Sequence, residues 1–258
     1  MNQLIKIDIQ DKVAHLTLDR PEKRNALNPA MIAGLKNAFT MLESDDNIRV
    51  ILLKATGTIF SAGADLGYLQ QLQQNSFDEN LADSALMREM LYTVWSSAKI
   101  VIAQVEGHAI AGGCGLVSVC DFVFATPEAN FGYSEVKIGF VPAIVASFLV
   151  DKVGKSRASE LLLSGATVPA NTASRYGLVN FIAERNSIAS EANAYAVKLS
   201  NETSAESIRR TKSLLRATRD LSMEASLDQA VKANAESRET ADFKKGIQSF
   251  LEKQKLSW

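Results

Sequence analysis

Two cysteines, two histidines and five prolines in 258 residues leave several chemistries without material. Cys114 and Cys120 stand six apart, which suits neither a disulfide framework nor a CxxC metal or redox pair, so both are expected as small core residues. His15 and His108 have no carboxylate or cysteine partners at metal-ligand spacing, which argues against a metal enzyme. Neither sign of charge dominates: 28 Lys and Arg face 29 Asp and Glu. No global field therefore favours nucleic acid or an anionic membrane surface, and any anion needs a local site. Long hydrophobic runs are missing too. The stretch from Ile138 to Val150 is broken by Pro142 and falls short of the roughly 20 residues that span a bilayer. The first ten residues hold no basic start, apolar block or small-residue cleavage site, so the expected location is the cytoplasm, off the membrane.

What is present is a core. Hydrophobic residues make up 47% of the chain, enough for one large domain or two small ones. Leu4 to Ile9 and Val13 to Asp19 alternate apolar and polar residues and predict an opening hairpin. Asn28 followed by Pro29 predicts a helix start, after which Met31, Ile32, Leu35, Ala38, Phe39 and Leu42 keep helical spacing to about Glu43. Val50 to Leu53, Ile100 to Val105 and Phe122 to Ala125 are short, continuous apolar runs, the pattern of strands buried on both faces. Tyr68 to Ser97 is helical in composition, with the polar section Gln70 to Glu79 expected as a loop. From Ser187 onward the pattern is almost all helix, with candidates at Ile188 to Leu199, Ala205 to Ala217, Met223 to Ser237 and Phe243 to Lys253. The expectation is an α/β core over 1–186 followed by a helical C-terminal region over 187–258.

Two segments of small residues each follow a buried strand and lead into a helix: Phe60 to Leu66 and Gly107 to Gly115. Such turns leave backbone N–H groups free, and two of them aimed at one carbonyl oxygen form an oxyanion hole. The bland reading is that the glycines only permit tight turns and close packing. Gly113-Cys114-Gly115-Leu116-Val117-Ser118 also half-matches a dinucleotide fingerprint. Glu135 lies twenty residues beyond Gly115 but not at the end of the strand Phe122 to Ala125, where a ribose-binding acid belongs, so a nicotinamide enzyme is disfavoured.

Five segments together resemble the crotonase (enoyl-CoA hydratase/isomerase) superfamily: Arg20-Pro21-Glu22-Lys23-Arg24-Asn25-Ala26-Leu27-Asn28, Phe60 to Leu66, Gly107 to Asp121, Phe131 to Pro142 and Asp242 to Lys253. The resemblance implies a spiral of ββα units with C-terminal helices that assemble as a homotrimer or homohexamer. It implies an acyl-CoA substrate and no permanently bound cofactor. It places the oxyanion amides at Ala64 and Gly112. It sets Arg24, Ala26 and Leu27 beside the CoA adenine and the turn Ala62, Gly63, Ala64, Asp65, Leu66 around the pantetheine; Lys23, Arg24 and Lys253 are the candidate cations for the phosphates. Tyr68 and Gly115 are expected in the substrate pocket.

The family pattern has two places for catalytic glutamates. Here the first is Gly115 and the second is Glu135, flanked by Phe131, Val136, Ile138 and Phe140. A buried Glu with a raised pKa exchanges protons near neutral pH. By resemblance, the expected activity is a 2-enoyl-CoA hydratase, with a methylglutaconyl-CoA hydratase as one form. The alternative is a double-bond isomerase in which Glu135 alone shuttles a proton. A reading of another class rests on Arg209, Lys212, Arg216 and Arg219, spaced along one helix face as in an RNA-binding stripe, although acidic neighbours and the lack of aromatics make nucleic acid the weaker partner.

Overall fold

The computed structural model describes residues 4–258. β1 (Ile5–Gln10) and β2 (Val13–Leu18) pair antiparallel from Ile5 opposite Leu18 to Gln10 opposite Val13. α1 (Pro29–Glu43) starts where Asn28 Oδ1 accepts the Met31 amide at 2.8 Å, and buries the expected stripe from Met31 to Leu42. From there the chain repeats one move. A long strand is followed by a short strand in a second sheet and then by helix. The first turn is β3 (Val50–Ala55), β4 (Ile59–Ser61), α2 (Leu66–Leu72) and α3 (Phe77–Ser96). The second is β5 (Ile100–Val105), β6 (His108–Ile110) and α4 (Gly112–Ser118). The third is β7 (Phe122–Ala125), β8 (Asn130–Gly132) and α5 (Ala143–Ser164). β9 (Thr167–Pro169), α6 (Ala170–Arg175) and β10 (Phe181–Ile182) close the two sheets, and α7 (Ile188–Glu202), α8 (Ala205–Ala217), α9 (Met223–Ser237) and α10 (Ala241–Leu251) finish the chain.

The larger sheet has the order β1-β2-β3-β5-β7-β10 and is parallel from β2 onward; the smaller has the order β4-β6-β8-β9. Alternation along the strands explains the continuous apolar runs. Ile51 and Leu53 of β3 face one core with α1, α3 and α4, whereas Val50 and Leu52 face a second core with Ile188, Ala192 and Ala196 of α7. No helix among the described residues is long and apolar enough to cross a membrane.

Two expectations change. The polar section Gln70 to Glu79 is not one loop: α2 runs to Leu72, and a capping box between Ser76 and Glu79 starts α3, so only 73–76 break the helix. α5, 22 residues long, was hidden by Pro142 before it and by Gly154 within it, where φ 75° and ψ 159° kink the helix. The basic stripe on α8 has partners inside the chain. Arg209 pairs with Glu206, Lys212 with Asp121 at 2.5 Å and the Lys99 carbonyl at 2.7 Å, Arg216 lies over the Trp95 ring, and Arg219 pairs with Asp151. Arg209 pairs within α8, whereas Lys212, Arg216 and Arg219 staple this end of the chain to the core.

Candidate active site

The first glycine-rich turn is held by the segment that precedes α1. Asn25 is buried at φ 50°, a left-handed conformation that Asn tolerates better than most residues. Its amide nitrogen donates to the carbonyls of Thr56 and Ile59, each at 2.8 Å, and its oxygen accepts the Arg20 amide. Alongside runs a short parallel ladder: Ala62 N donates to Arg24 O, Leu27 N to Gly63 O and Asp65 N to Leu27 O. In a parallel bridge of this kind the residue opposite Leu27 turns its own N–H the other way. That residue is Ala64, and its N–H has no partner among the described residues. Asp65 fixes the far end. One oxygen caps α2 through the Gly67 and Tyr68 amides, and the other takes Arg20 Nη1 at 2.7 Å. Burial alone would raise the Asp65 carboxyl, but Arg20 and the two amides hold it below the ordinary carboxylate range.

The second turn joins β6 to α4. Ala111 donates its amide to Gly132 O and takes φ 51°, ψ −126°, a region that residues with a side chain seldom enter. The next amide, Gly112, is the first of α4 and is likewise unpartnered among the described residues. The two turns touch. A Cβ on Gly63 would stand 2.8 Å from the Ala111 Cβ, 2.9 Å from Ile110 O and 3.6 Å from Gly112 N, so only glycine lets the Ala64 turn come this close. Gly113 is pressed in the same way onto Ser61, where a Cβ would meet the Ser61 Cβ at 2.6 Å.

Glu135 opens a 3₁₀ turn, Glu135–Ile138, directly after β8 and the buried Tyr133, whose hydroxyl donates to Cys114 O of α4 at 3.3 Å. The Glu135 side chain is buried, and Oε2 has no hydrogen-bond partner among the described residues. Burial pushes its pKa up. Its charge adds to the burial that already raises the Cys114 thiol and the Tyr133 phenol. A carboxyl that is buried, unpaired and shifted upward can hold or release a proton in the neutral range.

The structure fills the place that Gly115 leaves. A Cβ on Gly115 would lie 2.4 Å from Cγ1 of Val145 on the first turn of α5 and 3.9 Å from Leu91 Cδ1. Tyr68 hydrogen-bonds the Asp83 carboxylate and so ties α2 to α3; burial and Asp83 together push the phenol pKa up. Among the remaining sequence candidates, Ala26 and Leu27 have buried side chains and offer only backbone, whereas Lys23, Arg24 and Leu66 are exposed beside the first turn. Lys253 is exposed just past the end of α10. That helix is tied to Ser204 through Asp242, and Trp258 behind it to Asn201 and Lys12. Among the described residues no hydrogen bond or ion pair joins this end of the chain to the turns bearing Ala64, Gly112 and Glu135. Among the described residues no group of three His, Cys, Asp or Glu side chains is placed to hold a metal.

Sequence reasoning missed Arg20, Asn25, Ala111 and Val145 as parts of this arrangement. The run Arg20 to Asn28 was read for ligand contacts, and nothing in an alanine or a valine announces strain or a close helix crossing.

Residues 8–258 match the family model described as enoyl-CoA hydratase/isomerase. The chain is 42% identical over 241 residues to a Thermus thermophilus protein that carries the enoyl-CoA hydratase name, covering 93% of this chain and 95% of that one. It is 32% identical over 255 residues to the 2,3-dehydroadipyl-CoA hydratase of Escherichia coli, covering 98% and 97%. Its fold superposes on the crystal structure of an enoyl-CoA hydratase from Mycobacterium smegmatis with a TM-score of 0.92 at 30% identity, over 99% and 98% of the two chains. The repeated strand-strand-helix turns are thus those of the crotonase fold, and the chain belongs to the enoyl-CoA hydratase/isomerase family.

Proposed function

We propose that this protein is a 2-enoyl-CoA hydratase that holds the thioester oxygen between the amides of Ala64 and Gly112 and uses Glu135 as its single acid and base. The observations that carry the reading are two unpartnered amides on turns that touch through Gly63, and a buried glutamate, Glu135, whose Oε2 has no partner among the described residues. As a water oxygen bonds to C3, Glu135 takes the water proton and the C2=C3 electron pair moves onto the thioester as an enolate. Each prepositioned amide lowers the barrier for that charge by about 2.7–4 kcal/mol. Glu135 then returns its proton to C2, so that one water is added in all.

The pantetheine arm lies along Ala62, Gly63, Ala64, Asp65 and Leu66, the adenine lies by Arg24, Ala26 and Leu27, and Lys23, Arg24 and Lys253 meet the phosphates. Since Lys253 is not linked to the other site residues within one chain, its contact would come from a neighbouring copy. Assembly as a trimer or a pair of trimers is supported by Leu227, Val231, Phe250 and Leu251, which lie exposed on the last helices. We place the protein in the cytoplasm.

One specific observation favours isomerisation as the second reading: Val145 rather than a carboxylate stands at Gly115, and moving a double bond from C3 to C2 needs only one base. Glu135→Gln tests both. Incubation with 2-enoyl- and 3-enoyl-CoA panels should show hydration falling by about 10² to 10⁴ with CoA binding retained. A variant that keeps more than half its rate refutes Glu135 as the base. A parent enzyme that isomerises 3-enoyl-CoA and leaves 2-enoyl-CoA unhydrated selects the second reading.

A further inference from the structure

Along one face of α4, Gly112 and Gly115 are three residues apart and their missing side chains point at a wall of apolar atoms. A Cβ on Gly112 would meet Met87 Cε at 3.0 Å and Leu27 Cδ1 at 3.3 Å; one on Gly115 would meet Val145 Cγ1 at 2.4 Å and Leu91 Cδ1 at 3.9 Å. Leu27, Leu91 and Val145 are all buried, Val145 at 4% exposure. None carries an atom that accepts a hydrogen bond from water. Glu135 stands two residues after Tyr133, whose hydroxyl donates to Cys114 O of the same helix. The 2.4 Å approach is far inside van der Waals contact, and the obstructing atom belongs to a β-branched side chain with one favoured χ1 in a helix, so it does not swing aside cheaply.

We infer that Val145 is a specificity-determining residue: by occupying the space beyond Gly115 it keeps that side of the site apolar, leaves Glu135 as the only group that orders water there, and thereby sets the partition between adding water and merely moving a double bond. This rests on the reading of Glu135 as the acid and base. The physical content is that Gly115 and Val145 are one unit. Glycine is needed because the valine is there, and no longer side chain fits at 115 until the valine is shortened.

Four variants separate the possibilities: Val145→Ala, Val145→Ser, Gly115→Glu and the pair Gly115→Glu with Val145→Ala. Hydration of 2-butenoyl-CoA, isomerisation of 3-hexenoyl-CoA and the melting temperature are read for each. Gly115→Glu alone should overpack the α4–α5 contact and melt about 2 to 10 °C lower, with a slower reaction of both kinds. The pair should recover most of that loss and raise the ratio of hydration to isomerisation by about tenfold or more, through a second carboxylate that orients water. Val145→Ser, which puts a hydroxyl in the same space, should raise the ratio severalfold, more than Val145→Ala does.

The inference is overturned if Gly115→Glu is as stable as the parent, or if Val145→Ser and Val145→Ala fold and keep the parent ratio. Should the paired variant not fold, the two single changes at Val145 still decide. Glu135→Gln in the parent keeps the two readings distinct. If it stays active, the acid-base reading has failed; if it is silent while the Val145 variants leave the ratio untouched, only the role of Val145 has failed.

Discussion

The body of the protein up to Ser204 and the three helices after it are built on opposite terms. The first part closes two cores around a six-stranded sheet, with α7 filling the second. Beyond Ser204 no described residue is buried, although α8, α9 and α10 are regular, capped helices. α8 is fastened by Lys212 and Arg216, by Arg219 just past its end, and by Ile208 packed against the second core. Leu215, Met223, Leu227, Val231, Phe250 and Leu251 remain in water. The first part thus has a core of its own in a single copy and leaves only some apolar residues, among them Leu66, Phe77, Ile138, Val141 and Leu163, exposed, whereas the second part has no buried residue among those described.

Four changes break or sharpen this contrast, beginning with the largest effect. Gly63→Ala drives a methyl between the two amide-bearing turns and should lower kcat by about 10² to 10³, the loss expected when one donor leaves an oxyanion hole. Steady-state hydration with a folded-state check by circular dichroism reads it, and a rate within twofold of the parent would show that the turns do not act together. The second falls on the other side of the boundary: Leu227→Glu with Val231→Glu should turn the proposed trimer into monomers in light scattering while the body melts nearly as before. Retention of the assembled state would remove α9 from the interface.

The third change tests the joint between the parts. Lys212→Met leaves Asp121, which still accepts the Val101 amide, with one charged partner fewer. Because both side chains are partly open to solvent, about 1–2 kcal/mol of stability should be lost, with hydrogen exchange rising first along α8. Uniform exchange along the whole chain would make the staple a global strut instead.

The smallest effect lies in the pH dependence of Glu135→Gln. A carboxyl whose folded pKa is raised keeps its proton longer in the folded state, so the parent loses stability as pH rises from the ordinary value of 4.5 through the raised one, and then levels off. Glutamine removes that loss. The variant should therefore melt above the parent at pH 8, the gap closing toward pH 4.5, and an equal gap at both pH values would show that Glu135 is not held protonated by its surroundings.

Much of the fold was legible because it follows from alternation and capping. The hairpin, the Asn28 cap, the three long strands and all four C-terminal helices lie within a few residues of expectation. The second sheet was not legible, since its four strands are three residues each, paired across distant segments, and three residues carry no period. At the site, the glycines and the resemblance pointed to Ala64, Gly112 and Glu135. What escaped was relational. The need for glycine at 63 and 115 depends on Ala111 and Val145, thirty to fifty residues away, and Ala111 in its rare conformation donates to Gly132 O, a partner its own side chain does not announce. The basic stripe shows the converse, a clear local pattern whose partners decide its meaning.

The two cysteines, which looked like inert filling, turn out to be clocks. Burial pushes both thiols up to about 12, Cys114 under the amide-bearing turn of α4 and Cys120 beside the Asp121 staple. At pH 8 very little of either is the thiolate, the form that alkylating reagents attack. Labelling must therefore wait for the chain to open around each sulfur, and the two rates time the loosening of the oxyanion turn and of the helical staple separately.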